Sequence, residues 1–170
     1  MSAVPREERC LREIIRRLQQ ITPANGYLTN AGASVTLDPP DSHGDRGPYP
    51  RIEVLTADTV PANEWNRSHG LVELPVTIAG FDAIPDALTE STDPIDVAMA
   101  ARIAAGNVWL DMMRALFTAP GAYDDDLDGH ARVFAYASHA IHPHDDGGRI
   151  AAAIIDTTVQ YVLHASDPSQ

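Results

Sequence analysis

The side chains best suited to chemistry lie near the end of the sequence, where His139, His142, His144, Asp145 and Asp146 gather imidazoles and carboxylates in one short stretch. These residue types can bind zinc or manganese, and the enzyme they would allow is a metal-dependent hydrolase using His139, His142, His144 and Asp145. Geometry weighs against it. On a strand, residues three apart point to opposite faces, so His139 and His142 diverge. Only His142 and His144 share a face, at the start of a Pro/Gly-rich turn. A solvated hairpin tip is expected instead of a metal site. The acidic run Asp124, Asp125, Asp126 and Asp128 has the charge for calcium. It lacks the alternating ligands, central glycine and distant glutamate of an EF-hand, and reads as a solvated loop. No nucleophile elbow, P-loop or dinucleotide fingerprint occurs. The one cysteine, Cys10, falls within an expected helix, where it serves as a small core or boundary residue. The sequence therefore predicts no catalytic residue and no cofactor.

The elements that would position any site centre on Pro94 to Thr118, read as one long helix. Asp93 offers an N-cap oxygen, Pro94 suits the first helical position, and Asp96 complements the helix dipole. At about 100° per residue, Asp96, Ala100, Asn107, Asp111, Arg114 and Thr118 fall on a narrow stripe, and the rest of the circumference is nearly all apolar. Such a helix is covered from more than one side. One side is its own sheet, and the other is the first helix or a neighbouring subunit. Arg102 lies among the apolar positions, where an unpaired guanidinium is costly. Either it reaches a carboxylate, within the subunit or across an interface, or it snorkels past short alanines.

Before this helix, Leu11, Ile14, Ile15, Leu18 and Ile21 recur at helical spacing between Pro5 and Ile21, with Arg6, Glu13, Arg16, Arg17 and Gln20 mostly off that stripe. A turn at Ala24 to Tyr27 and a short extended piece through Leu37 follow, then a mobile Pro/Gly loop over 38–50. Arg51 to Ala57 reads as a strand, and Pro61 to His69 as a polar connection. Val72, Leu74, Val76 and Ile78 alternate with Glu73, Pro75 and Thr77, which marks a strand. Pro75 cannot donate to a ladder, so this strand is at an edge or has its bare side there. A loop from Phe81 leads to the long helix. A second mobile loop is expected over 119–131, then strands from Arg132 to Ile141 and Ile150 to His164 forming an antiparallel hairpin. The fold class is α+β: one domain over 1–170, with an N-terminal helix and a long central helix packed on a mainly antiparallel sheet.

The chain has 170 residues, 44% of them apolar, enough for one core, and no apolar run long enough to cross a membrane. Its start lacks the apolar segment of a signal peptide, so synthesis in the cytoplasm is expected. A net charge of −12 argues against gripping nucleic acid, because that binding comes largely from neutralising phosphates. All 12 basic residues are arginine. Arginine is favoured over lysine at interfaces, although a GC-rich coding sequence explains the bias equally well.

Several phrases carry a family likeness. The amphipathic helix followed by Ile21-Thr22-Pro23-Ala24-Asn25-Gly26-Tyr27-Leu28-Thr29, the central strand pair, the helix opening Pro94-Ile95-Asp96 and closing Trp109 to Leu116, and the last strand running toward Asp167-Pro168 together resemble tail-terminator and minor tail (tail completion) proteins of tailed bacteriophages. The resemblance implies a non-enzymatic virion protein: a homo-oligomeric ring, typically a hexamer, that caps the tail tube. It would contact the tail tube protein and the head completion or neck protein, with DNA passing through its lumen unbound and no membrane involved. Another head-tail connector or adaptor role is the alternative. Candidate subunit-interface residues are Arg102, Trp109 and Pro75.

Overall fold

The computed structural model describes residues 5–39, 48–65, 69–85, 93–117, 124–142 and 149–164. Helix α1, Arg6–Leu18, carries Glu7 and Glu8 in its first turn and Arg16 and Arg17 in its last, both complementing the helix dipole. Cys10, Leu11, Ile14 and Leu18 are its buried apolar face. The chain then turns through two short 3-10 helices, Pro23–Asn25 and Ala31–Ala33. Gly26 sits between them at φ +80°, a left-handed conformation that glycine adopts without strain. At Gly32 a side chain would meet the carbonyl oxygens of Leu18, Gln19 and Ile21 within 2.8 Å, so only glycine fits against the end of α1.

The strands are β1 (Val35–Leu37), β2 (Arg51–Thr56), β3 (Val60–Trp65), β4 (His69–Ala83), β5 (Asp124–Asp125), β6 (Val133–His142) and β7 (Ile150–His164), and the second helix, α2, is Pro94–Leu116. The sheet order is β1-β2-β4-β7-β6-β5, with β3 also paired to β4. Every pairing is antiparallel except β1 with β2. Both helices pack on one face, so the fold is α+β with a mainly antiparallel sheet. Val72, Leu74, Val76 and Ile78 of β4 meet Ala153, Ile155, Val159 and Tyr161 of β7 beneath them in the core. The opposite face carries polar cross-strand contacts. Thr77 and Ser138 both donate to the Asp156 carboxylate at 2.9 and 2.8 Å, and Gln160 donates to Glu73 at 2.7 Å.

Two expectations change, and of the two alternatives for Pro75 the second holds. Pro61 to His69 is not only a connection, because β3 occupies most of it. β4 runs to Ala83, past the point where a loop is expected at Phe81. Pro75 is not at the sheet edge, since β7 pairs along the whole of one side of β4, and β2 and β3 lie end to end along the other. Its bare side falls at the junction of the two: Thr56 pairs with Val76 and Val60 with Glu73, while the Pro75 carbonyl accepts from Ala57 N–H at 3.2 Å. The missing donor thus faces a gap that no strand residue fills, which is how an interior strand tolerates proline.

Candidate assembly surface

Helix α2 begins where the sequence places it. Asp93 is its N-cap and its carboxylate accepts from Ile95 N–H at 2.8 Å. Its faces are distributed against expectation. The side on the sheet is made mostly of small residues, Ala100, Ala101, Ala104, Ala105 and Ala115, with Val108, Met112 and Leu116. Small side chains let the helix lie close, and the sheet answers with Gly80, where an added Cβ would collide with Val108 and press on Met112. Large apolar residues are left outside: Ile95 is 69% exposed, Ile103 58%, Met99 53% and Leu110 41%. Their spacing of four, four and seven residues lines them up as one ridge.

The polar stripe of α2 is divided, with Asp96 and Arg114 exposed and two of its members inside. Ala100 is buried, and Asp111 is fully buried, its two carboxylate oxygens accepting from Leu28 N–H at 3.0 Å and Thr29 N–H at 2.7 Å. A buried carboxylate is stabilised here by backbone donors, and it fixes the Tyr27 to Thr29 segment to α2. Arg114 strengthens the same joint, donating to the Gly26 carbonyl at 3.2 Å and lying 5.0 Å over the Tyr27 ring.

Arg102 is exposed beside Met99 and Ile103, and forms no ion pair among the described residues. The guanidinium thus snorkels within its own chain, which leaves it available to a carboxylate of another. Trp109 is half-buried and spends its ring on an internal contact, 5.0 Å from the His139 ring. Its indole N–H has no hydrogen-bond partner among the described residues. Pro75 is exposed, but on the sheet face opposite the helices.

The histidines are separated as their spacing implies. His139 lies opposite Ile155, on the helix side, and His142 opposite Ala152, on the other. A bulge at Ala137 puts Tyr136 on the same side as His139, and the two side chains hydrogen-bond. His144, Asp145 and Asp146 lie outside the described residues, and among those described no three His, Cys, Asp or Glu side chains converge as metal ligands.

Sequence reasoning missed a cluster under the C-terminal end of α2. Glu13 and Arg17, expected off the apolar stripe, are 7% and 8% exposed. Arg17 donates to Glu13 at 2.8 Å and to the Leu116 carbonyl at 3.0 Å, and pairs with Asp125 at 3.0 Å and Asp128 at 3.2 Å. One guanidinium thereby caps α2, holds α1 to it and anchors the acidic segment. That segment is not simply a solvated loop, because Leu127 within it is fully buried. The Arg16 guanidinium on Glu13, with Arg17 beside it, outweighs burial and holds the Glu13 carboxyl down at about 2. The expected mobile loops fall partly outside the described residues, at 40–47 and 118–123. Asp38, at the start of the first, is fixed by accepting from the backbone and hydroxyl of Thr56, both at 2.8 Å.

No protein-family model matches this chain, and no curated protein matches it.

Proposed function

We propose that this chain is a structural subunit of a tailed-bacteriophage virion, a tail terminator that closes into a ring on the tail tube and joins it to the head or neck. The observation that carries the reading is the ridge Ile95, Met99, Ile103 and Leu110, large apolar side chains held at the surface of a well-capped helix whose inner face is alanine. The largest apolar patch on a domain is often functional, and this one lies in a single row on an exposed helix. Ring assembly gives it a use, with six copies if the family resemblance extends to number. The polar sheet face suits a lumen: Glu73 and Asp156 sit on it, and carboxylates repel passing phosphates. The tail tube protein and a head completion or neck protein are the partners this role requires.

Electron microscopy of the purified protein is expected to show rings of uniform diameter with a central hole. Disrupting the gene in a phage that encodes it should give tails of uncontrolled length. Heads filled with DNA beside free tails of normal length would instead support the connector or adaptor role. A protein that remains monomeric, with normal virions in its absence, would defeat both.

A further inference from the structure

A second apolar surface lies beside α1. Between this helix and β1 runs an open groove of about 560 Å³, lined by Leu11, Ile15 and Leu37 with Pro5, Glu7 and Glu8 at its margin. β1 is the outermost strand and only three residues long, so nothing beyond it closes the groove among the described residues, and Leu37 is left 43% exposed. We propose that the α2 ridge of one copy seats in this groove of the next, with Arg102 directed to Glu7 and Glu8. This rests on the ring reading above and names the surfaces that close the ring.

Four observations favour a second copy of this chain as the occupant. The shapes are complementary, a convex row of Ile and Met against a concave apolar trough. The charges match: Arg102 has no ion-pair partner among the described residues, while the trough carries Glu7, Glu8 and Arg12, the last bridged to Glu8, leaving one negative charge in excess.

Position is the third. The ridge starts where Ala101 packs on Ile84 and Ala151, at one end of β4. Glu7 at the groove bonds to Tyr161, opposite Val72 toward the other end, so the groove stands ~35 Å along the strand from the N-terminal part of the ridge. They cannot meet within one chain. Symmetry is the fourth. An antiparallel two-fold pairing of the ridge about its middle, near residues 102 and 103, would place Arg102 beside Arg102, so like charges oppose it. A head-to-tail contact avoids this and is the kind that closes rings. The ridge spans about 22 Å and exposes on the order of 400 Å² of apolar side chain, of which the groove covers only a part. Each copy in a ring makes two such contacts.

The test is disulfide trapping in the whole protein. Ile103→Cys and Leu37→Cys are placed in one chain and oxidised with copper phenanthroline, Cys10 being buried and out of reach. The double variant is expected to give a series of covalent multimers on a denaturing gel, and each single variant only monomer. A dimer from Ile103→Cys alone would mean that ridges face each other, and would overturn the proposal. So would monomer from the double variant when the same sample sediments as a ring, an outcome that leaves the ring reading intact. A wild type that sediments as a monomer at every concentration would remove the ring reading and the proposal together.

Discussion

Arg17 shows how one residue outside an apolar pattern can hold a fold together. Replacing it with methionine would keep much of the volume but strand Glu13 in a buried place without its second guanidinium. Losing one member of a buried pair costs about 3–5 kcal/mol, so a large fall in the melting temperature is expected by calorimetry. The acid dependence follows from Glu13. Its carboxyl is lowered to about 2 in the fold from an ordinary 4.5, so its stabilisation is complete above the unfolded value and lost as pH falls from 4.5 toward 2. At one pKa unit per 1.36 kcal/mol this is on the order of 3 kcal/mol, and Glu13→Gln should flatten that limb of the stability profile. Cys10 gives an independent check. Burial pushes its thiol up to about 11, against the partial offset of Arg6 and Arg9, so a disulfide reagent at pH 8 should label it only in denaturant. Rapid labelling of the native protein would contradict its place in the core. The sequence placed Cys10 correctly because position alone decides its burial. It could not place Arg17, whose burial depends on carboxylates more than a hundred residues away along the chain.

At the scale of elements, the boundaries signalled by local chemistry were legible. Asp93-Pro94 starts α2 as its capping chemistry requires, and the alternation of Val72 to Ile78 and of Ile155 to Tyr161 gives their buried faces correctly. What local pattern left undecided was which face of α2 is buried. Polar residues normally mark the solvent side, but Asp111 is buried because two backbone N–H groups from another segment reach it, and no local pattern announces that. Nor does local pattern place Pro75, which is decided by how β2 and β3 divide one side of β4. The close seat of α2 depends on Gly80. Gly80→Ala would force Val108 and Met112 to move, and overpacking of this kind costs about 1–3 kcal/mol. The expected result is a lower unfolding midpoint in urea with an unchanged slope. A midpoint equal to wild type would mean that the helix can lift without cost, and that its alanine face does not set its distance from the sheet.

For the whole molecule, the issue is whether apolar contact or charge holds copies together, and magnitudes decide between them. Burying a whole isoleucine side chain contributes about 1.5–3 kcal/mol, and Ile103, at 58% exposed, has roughly half of that still to gain at a junction. Aspartate in its place would forfeit the gain and bring an unpaired carboxylate into an apolar trough, a further penalty. An exposed ion pair from Arg102 contributes only about 0.2–1 kcal/mol and is screened by salt. Ile103→Asp should therefore dissociate the assembly, whereas Arg102→Ala should weaken it modestly and Arg102→Glu more, by setting carboxylate against carboxylate. Both side chains lie at the surface of the isolated subunit, so circular dichroism and melting temperature should match wild type for all three variants while sedimentation velocity reports the change. The order of effects is the discriminating result. If Arg102→Ala dissociated the assembly and Ile103→Asp did not, the contact would be electrostatic and would weaken steeply with salt, and the ridge would owe its exposure to some other partner.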